Sequence, residues 1–464
     1  MEKKMGLEKN DIVTVKIEDI STSGEGIGKV DGFTLFIKDT VIGDIAEVKI
    51  INAKKTYGYG KLMKIITPSN NRVEPRCPVA KACGGCQIQE MSYESQLSYK
   101  QNMVQNNLKR IGGLSDFEMC PIIGMEEPYN FRNKAQYPVG LDNAGNLVMG
   151  FFAAHSHAIV ASEDCCIGAP INAGILAKIK EFMLTYNIKP YNEFEHTGLI
   201  RNILIRVGAA TGQVMVCVVI NGKFLPNSEE LVKSLSDVEG IESIMIDINK
   251  EKTNVILGKK VKLLWGKPYI EDYIGDVKFQ ISPLSFFQVN PKQTEELYNK
   301  VLEYADLSGE ETVWDLYCGI GTISLFLAKK AKKVYGVEIV PEAIDDAKIN
   351  ATINSIDNVE FLVGKAEEVL PAYYEEHKGE YADVIIVDPP RKGCDEALLK
   401  TIIVMAPAKV VYISCDSATL ARDLKYMCEN GYQLIKVQPV DQFGHTVHVE
   451  SVCLLSKIAN VVVQ

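Results

Sequence analysis

The chain has little of what would mark a protein for a membrane, for export or for indiscriminate contact with nucleic acid. No stretch of it approaches the roughly 20 consecutive apolar residues that a membrane-spanning helix needs. The opening "MEKKMGLEKN" has no apolar signal-peptide core. A cytoplasmic protein without membrane attachment is therefore expected. Cations are not in excess either: 50 Lys and Arg stand against 60 Asp and Glu, a net charge of −10. That balance excludes diffuse attraction to a phosphate backbone and leaves only local patches to bind it. Low-complexity runs are absent, and 47% hydrophobic with 24% charged residues excludes a disordered chain. Cysteine is not scarce. In a reducing compartment the 12 present are thiols, metal ligands, catalysts or filler, but not disulfides.

At 464 residues the chain is too long for one core, and about three domains are expected. From Asp11 to Ile66, short alternating segments ("IVTVKI", "FTLFIK", "IAEVKI", "YGYGKLMKII") are separated by glycine-rich turns, the pattern of a small barrel. Gly24, Gly26 and Gly28 join strand to strand with no helix following, so they are not a nucleotide loop. This stretch resembles the TRAM domain, an OB-like barrel with which RNA-modifying enzymes hold RNA. "TPSNNRVEPRCP" reads as a linker, which places domain boundaries at 1–67, 68–285 and 286–464. The middle segment opens with a cysteine-rich stretch and a helix near 91–112, and then carries strands of a mixed, mostly antiparallel sheet. Between Ser95 and Ser115 it has Lys100, Lys109 and Arg110 and no acid, a cationic helix face for solvent or RNA to meet.

From Thr312 onward strands alternate with helices, which predicts a parallel sheet with crossover helices and a Rossmann-like α/β domain closed by a final hairpin. "DLYCGIGTISLFLA" follows a strand and opens a helix, so Gly319 and Gly321 let a ligand approach the backbone. The third glycine of the dinucleotide fingerprint is missing. Glu338 ends the second strand 17 residues beyond Gly321, where a carboxylate can accept hydrogen bonds from a ribose, and "VIIVDPPRKG" puts Asp388 at a third strand end. Loop, acid and D-P-P together favour S-adenosylmethionine over a nicotinamide.

The same D-P-P could serve methylation of an exocyclic nitrogen, although Arg391 stands where that motif has an aromatic. Methylation at carbon needs more, because C5 of uracil is too weak a nucleophile to attack a sulfonium methyl unaided. A thiolate added to C6 turns the ring into an enolate, and a base must later remove the C5 proton. Cys415 ends the fifth strand in "VVYISCDSATLARD" and is either that nucleophile or small apolar filler. His445, His448 and Glu450 in "FGHTVHVES" offer bases, the two histidines serving equally as holders of the loop. In the middle segment Cys77, Cys83 and Cys86 form C-x5-C-x2-C, and Cys165 and Cys166 follow about 80 residues later. Without a second C-x2-C pair the set suits a [4Fe-4S] cluster better than zinc. The C-x3-C-x2-C spacing of radical chemistry is absent, so a structural or RNA-placing cluster is expected.

Five segments stand in the order found in the RNA uracil-5-methyltransferase family: "FFQVNP", "DLYCGIG", "DPPRKG", "SCDSATLARD" and "HTVHVES". The chain resembles that family over nearly its whole length. The resemblance implies that Cys415 is the nucleophile and Glu450 the general base. Gln288, Tyr317, Gly319, Glu338 and Asp388 then contact S-adenosylmethionine, with Thr322 and Lys365 on its rim. It also implies Cys165 as fourth cluster ligand, with Cys166 able to substitute, and Arg132 and Phe131 of "YNFRNKAQYPVG" near the target base. Ser417 departs from the family, which often has proline there. A cluster-bearing middle domain behind a barrel points to the branch acting on 23S ribosomal RNA rather than transfer RNA, as a monomer.

Overall fold

The computed structural model describes residues 7–154, 156–377 and 382–458. Alternation of side chains along the first strands closes a barrel in the order Ile12–Ile20, Gly26–Val30, Phe33–Ile37, Tyr57–Thr67, Ile45–Ala53. Closure removes the free edges that an open sheet would expose. Val15, Ile17, Leu35, Ile37, Val48 and Ile50 fill the interior. Gly28 serves this closure: a Cβ there would lie 2.4 Å from Val15 Cγ2 and 2.5 Å from the Lys16 carbonyl oxygen.

The second sheet has seven strands, in the order Lys260–Gly266, Ile241–Ile248, Val214–Ile220, Ile200–Val207, Lys134–Leu141, Leu147–Phe152, Ile159–Ala161. Only Val214–Ile220 and Ile241–Ile248 run parallel, joined by the crossover helix Ser228–Ser236. Helices Ser228–Ser236 and Ile171–Thr185 cover one face, while Leu204, Met215, Cys217 and Met245 join the core of the catalytic unit on the other. Burial on both faces explains why "VMVCVVI" is apolar without alternation.

The third sheet has eight strands, in the order Val359–Val363, Lys333–Glu338, Thr312–Leu316, Val384–Val387, Lys409–Ser414, Glu450–Lys457, Tyr432–Val440, Glu118–Met119. Its first five strands are parallel; Glu450–Lys457 then pairs antiparallel with both of its neighbours. The edge strand Glu118–Met119 comes from far upstream. Helix Tyr93–Arg110 comes with it: Val104 and Leu108 enter the catalytic core, and Asn107 Nδ2 donates to Ser417 Oγ at 2.8 Å. No helix among the described residues is long and apolar enough to cross a membrane.

Candidate active site

Parallel strands deliver their C-terminal ends to one crevice, and the predicted cofactor residues are at those ends or in the loops beside them. The loop after Thr312–Leu316 turns through positive φ at Tyr317 (72°), Gly319 (55°) and Gly321 (82°). It is fastened by the Tyr317 and Cys318 amides, which both donate to the Val337 carbonyl at 2.9 Å. A Cβ on Gly319 would meet nothing within 4 Å, so that glycine faces open space, whereas one on Gly321 would strike Phe361 at 2.9 Å. Glu338 accepts from the Gly319 amide at 3.2 Å and the Val340 amide at 3.0 Å, so the acid and the glycine loop hold each other. Beneath the loop lies Asp315, which the sequence reading did not single out. It is fully buried, accepts from the Ser324 hydroxyl, and is pushed up to about 7 by burial.

Thr322 shares a 2.9 Å hydrogen bond with Tyr298, and Lys365, exposed, pairs with Glu368 at 2.7 Å. Gln288 lines a small pocket of about 200 Å³ with Thr294, Leu297, Ile413, Gln442 and Glu450, so this predicted cofactor residue also faces the predicted base. Asp388 is half-buried at its strand end, and burial pushes its carboxyl up to about 6.

Cys415 follows the Lys409–Ser414 strand, whose antiparallel register sets Ser414 against Ser451. One step further, that register sets Cys415 beside Glu450. Asp416 then caps the helix Ser417–Glu429, accepting from the Ala418 and Thr419 amides at 3.0 and 3.1 Å. Cys415 lines a cleft of about 590 Å³ with Thr22, Asn107, Arg391, Asp416, Val447 and His448. Thr22 belongs to a barrel loop and Asn107 to the upstream helix, two contributors that no local motif announces. Glu450 is buried and pushed up to about 8, by burial first and by Asp388 next, with Arg391 opposing. Cys415 is pushed up to about 11 by burial, then by Glu450 and Asp388.

The loop from Asp441 to Val449 carries Glu450 and is pinned from several sides. Lys100 is not on a solvated helix face: it is fully buried and paired with buried Asp441 at 2.6 Å, and it also donates to the Phe443 carbonyl at 2.9 Å. Tyr93 donates to Asp441 Oδ2 at 2.8 Å, and Gln442 donates to Thr294 Oγ1 at 2.7 Å. His445 is buried at φ 65°; its backbone amide donates to Gln96 Oε1 at 2.9 Å, its ring Nδ1 lies 3.2 Å from Gln96 Nε2, and burial pushes the ring down to about 4. A neutral ring locked in this way holds the loop. His448 sits in the cleft, 3.3 Å from the Arg391 guanidinium.

The cysteine stretch is fastened to the same loop, since the Gln87 and Ile88 amides both donate to the His445 carbonyl at 3.1 Å. Cys77, Cys83, Cys165 and Cys166 lie close enough to Cys86 that their charges add to burial in pushing its thiol up. Gly85 donates to Cys83 Sγ at 3.3 Å and Gln89 to Cys166 Sγ at 3.7 Å. Among the described residues no group of three or more His, Cys, Asp or Glu side chains is arranged to hold a metal ion. Arg132 lies at this thiol group: it donates to the Lys134 carbonyl at 3.2 Å, and the charges of Cys165 and Cys86 act on it. Phe131 is half-buried, and Tyr129 stacks on His445 at 4.4 Å beneath Arg76 rather than standing free for a nucleotide.

Comparison with known proteins agrees with this architecture. Residues 7–63 match the TRAM domain model, and residues 233–458 match the model of tRNA (uracil-5-)-methyltransferases. An uncharacterized RNA methyltransferase of Clostridium tetani is 51% identical over 98% of both chains, and one of Clostridium acetobutylicum is 49% identical over 99% of this chain and 100% of that one. The crystal structure of the Pyrococcus abyssi tRNA (uracil-54, C5)-methyltransferase in complex with S-adenosyl-L-homocysteine superposes with a TM-score of 0.76 at 28% identity, covering 96% of this chain and all of that one. With the barrel, the sheet and the ordered motifs in one chain, the protein belongs to the RNA uracil-5-methyltransferase family.

Proposed function

We propose that the protein methylates C5 of a uridine in RNA through a covalent bond between Cys415 and C6 of the ring. The observation that carries this reading is the nearness of a thiol to a buried carboxyl: Ser414 pairs with Ser451, Cys415 and Glu450 flank that pair, and the Glu450 charge acts on the thiol. The Cys415 thiolate adds to C6, which makes C5 nucleophilic. Once C5 carries the methyl group, Glu450 takes its proton and the thiolate leaves. S-adenosylmethionine supplies the methyl when bound; Gln288, Tyr317, Gly319, Glu338 and Asp388 would hold it, with Thr322 and Lys365 at its rim. The open space at Gly319 beside the Glu338 carboxylate fits such a ligand. A base buried inside a folded RNA reaches this cleft only if it is flipped out of its stack.

Cys77, Cys83, Cys86 and Cys165 would hold a [4Fe-4S] cluster, a group wider than a single ion, which holds this loop in place when bound. The thiols gathered around Cys86 fit that donor set. For the RNA, the barrel in front of a four-thiol middle segment supports 23S ribosomal RNA. The Pyrococcus relative, a tRNA methyltransferase by its description, supports transfer RNA as a second reading.

RNA containing 5-fluorouridine tests the chemistry, because fluorine cannot leave as a proton. A covalent complex should form in the wild type and not in Cys415→Ala, and turnover by the alanine variant would refute the proposal. Loss of 5-methyluridine from 23S RNA, and not from transfer RNA, in cells lacking the protein would decide between the substrates.

A further inference from the structure

Arg391 is the only cationic side chain among the described residues lining the Cys415 cleft. Its backbone is fixed relative to the thiol. Pro389 and Pro390 precede it, Thr419 Oγ1 donates to its carbonyl at 3.0 Å, and Arg422 donates to the Lys392 carbonyl at 2.9 Å. Both donors belong to the helix that starts directly after Cys415. The guanidinium has no carboxylate within ion-pair distance among the described residues, although it is at hydrogen-bonding distance from His448 Nε2, 3.3 Å away. Burial and the nearby charges of Arg391 and Lys100 push His448 down, so its ring is neutral at physiological pH and can accept that hydrogen bond.

The groups facing Cys415 make this charge matter. Glu450 at the start of its strand and Asp388 at the end of another both oppose ionisation of the thiol, and Arg391 favours it. Asp416 and His448 complete the lining, with the Asp416 carboxylate spent on capping amides. With the thiol at about 11, on the order of one molecule in 10,000 carries a thiolate at pH 7. Adding that thiolate to a pyrimidine moves the negative charge from sulfur onto the ring, within the same cleft.

We propose that Arg391, steered by His448, is the charge partner of the reaction: it favours the Cys415 thiolate against the neighbouring carboxyls and receives the enolate oxygen formed when sulfur adds to the ring. The inference rests on the function proposed above. In the step concerned, the Sγ proton passes to solvent water and the Sγ–C6 bond forms. The C5–C6 π pair moves toward C4, leaving the negative charge on the C4 oxygen. C5 uses that pair for the bond to the methyl; when Glu450 later takes the C5 proton, the C–H pair restores the C5–C6 double bond and sulfur leaves as the thiolate. His448 is a positioning residue, acting only through the guanidinium.

The test needs two readouts on wild type, Arg391→Gln, Arg391→Lys and His448→Phe. One is peptide-resolved alkylation of Cys415 by iodoacetamide across pH, without RNA; the other is the rate of adduct formation with 5-fluorouridine RNA. Arg391→Gln should move the Cys415 alkylation profile to higher pH by about one unit and slow adduct formation at pH 7 about tenfold or more. Arg391→Lys should restore most of the alkylation profile, and His448→Phe should slow adduct formation while moving the profile less. An unchanged alkylation profile in folded, cofactor-binding Arg391→Gln, with the wild type still forming adduct, overturns this inference alone. No adduct in the wild type overturns the reading beneath it.

Discussion

Replacing Glu450 by glutamine should trap the covalent intermediate and, in the same molecule, remove a pH-dependent instability. Burial, reinforced by Asp388, carries the carboxyl from its ordinary 4.5 to about 8. At pH 7 about one molecule in ten then has the ionised base, so the proton-removal step should rise about tenfold towards pH 9 and level off. The folded state binds a proton that the unfolded state has lost, so stability is fully present below pH 4.5 and falls as pH rises towards 8. At about 1.4 kcal/mol per pH unit, the loss from pH 6 to pH 8 is on the order of 2 to 3 kcal/mol for the wild type relative to Glu450→Gln. Urea melts of both proteins at pH 6 and pH 8 measure that difference. Asp388 and Asp315, also raised, contribute alike to both proteins and largely cancel. Single-turnover reactions should show the variant accumulating enzyme–RNA complex with natural uridine. Equal pH dependence of stability in the two proteins, or release of product by the variant at the wild-type rate, would refute the reasoning.

Lys100→Met should leave the Asp441 carboxylate buried without its charge partner and destabilise the protein by about 3 to 5 kcal/mol in denaturant melts, whereas Lys100→Met with Asp441→Leu should recover much of the loss. Glu338→Ala should weaken S-adenosylmethionine binding by about ten- to a hundredfold in calorimetry, since it removes charge-assisted hydrogen bonds worth about 1.5 to 3 kcal/mol. Protein purified without oxygen should contain about four irons and four acid-labile sulfides per chain, and Cys86→Ala should lose most of both; zinc without sulfide would refute the cluster.

Much of the catalytic sheet is legible because its strands are short apolar runs that stop at a polar residue. Glu338, Asp388 and Cys415 all fall at or just beyond such stops, and parallel strands bring them to one edge. The closing hairpin is legible for the same reason. The two-residue strand Glu118–Met119 is not, because it is too short to show a period and its partner Lys436 lies over 300 positions away. Lys100 misled in a different manner. Neighbours in sequence make it look like part of a cationic face, while the acid that neutralises it, Asp441, is 341 residues distant. Thr22 and Asn107 belong to segments with no chemical motif and reach the cleft only through tertiary packing. The family resemblance marked Arg132 only as an RNA contact, because nothing local says that the chain around Cys165 returns to meet it.

The proton-accepting role proposed for Glu450 depends on keeping a carboxyl dry at the end of a nine-residue loop that has little regular structure of its own. Loops with few internal hydrogen bonds open easily unless other segments satisfy their polar groups. Here three do: the upstream helix through Lys100, Tyr93 and Gln96, the cysteine stretch through the Gln87 and Ile88 amides, and the helix Pro291–Ala305 through Thr294 and Gln293. Apart from Thr294, which lines the small pocket beside Glu450, these groups are not among those placed at the proposed reaction centre. The charge on Glu450 is nonetheless set by how completely they exclude water from the loop before it, so the middle segment acts on the chemistry through burial rather than through contact.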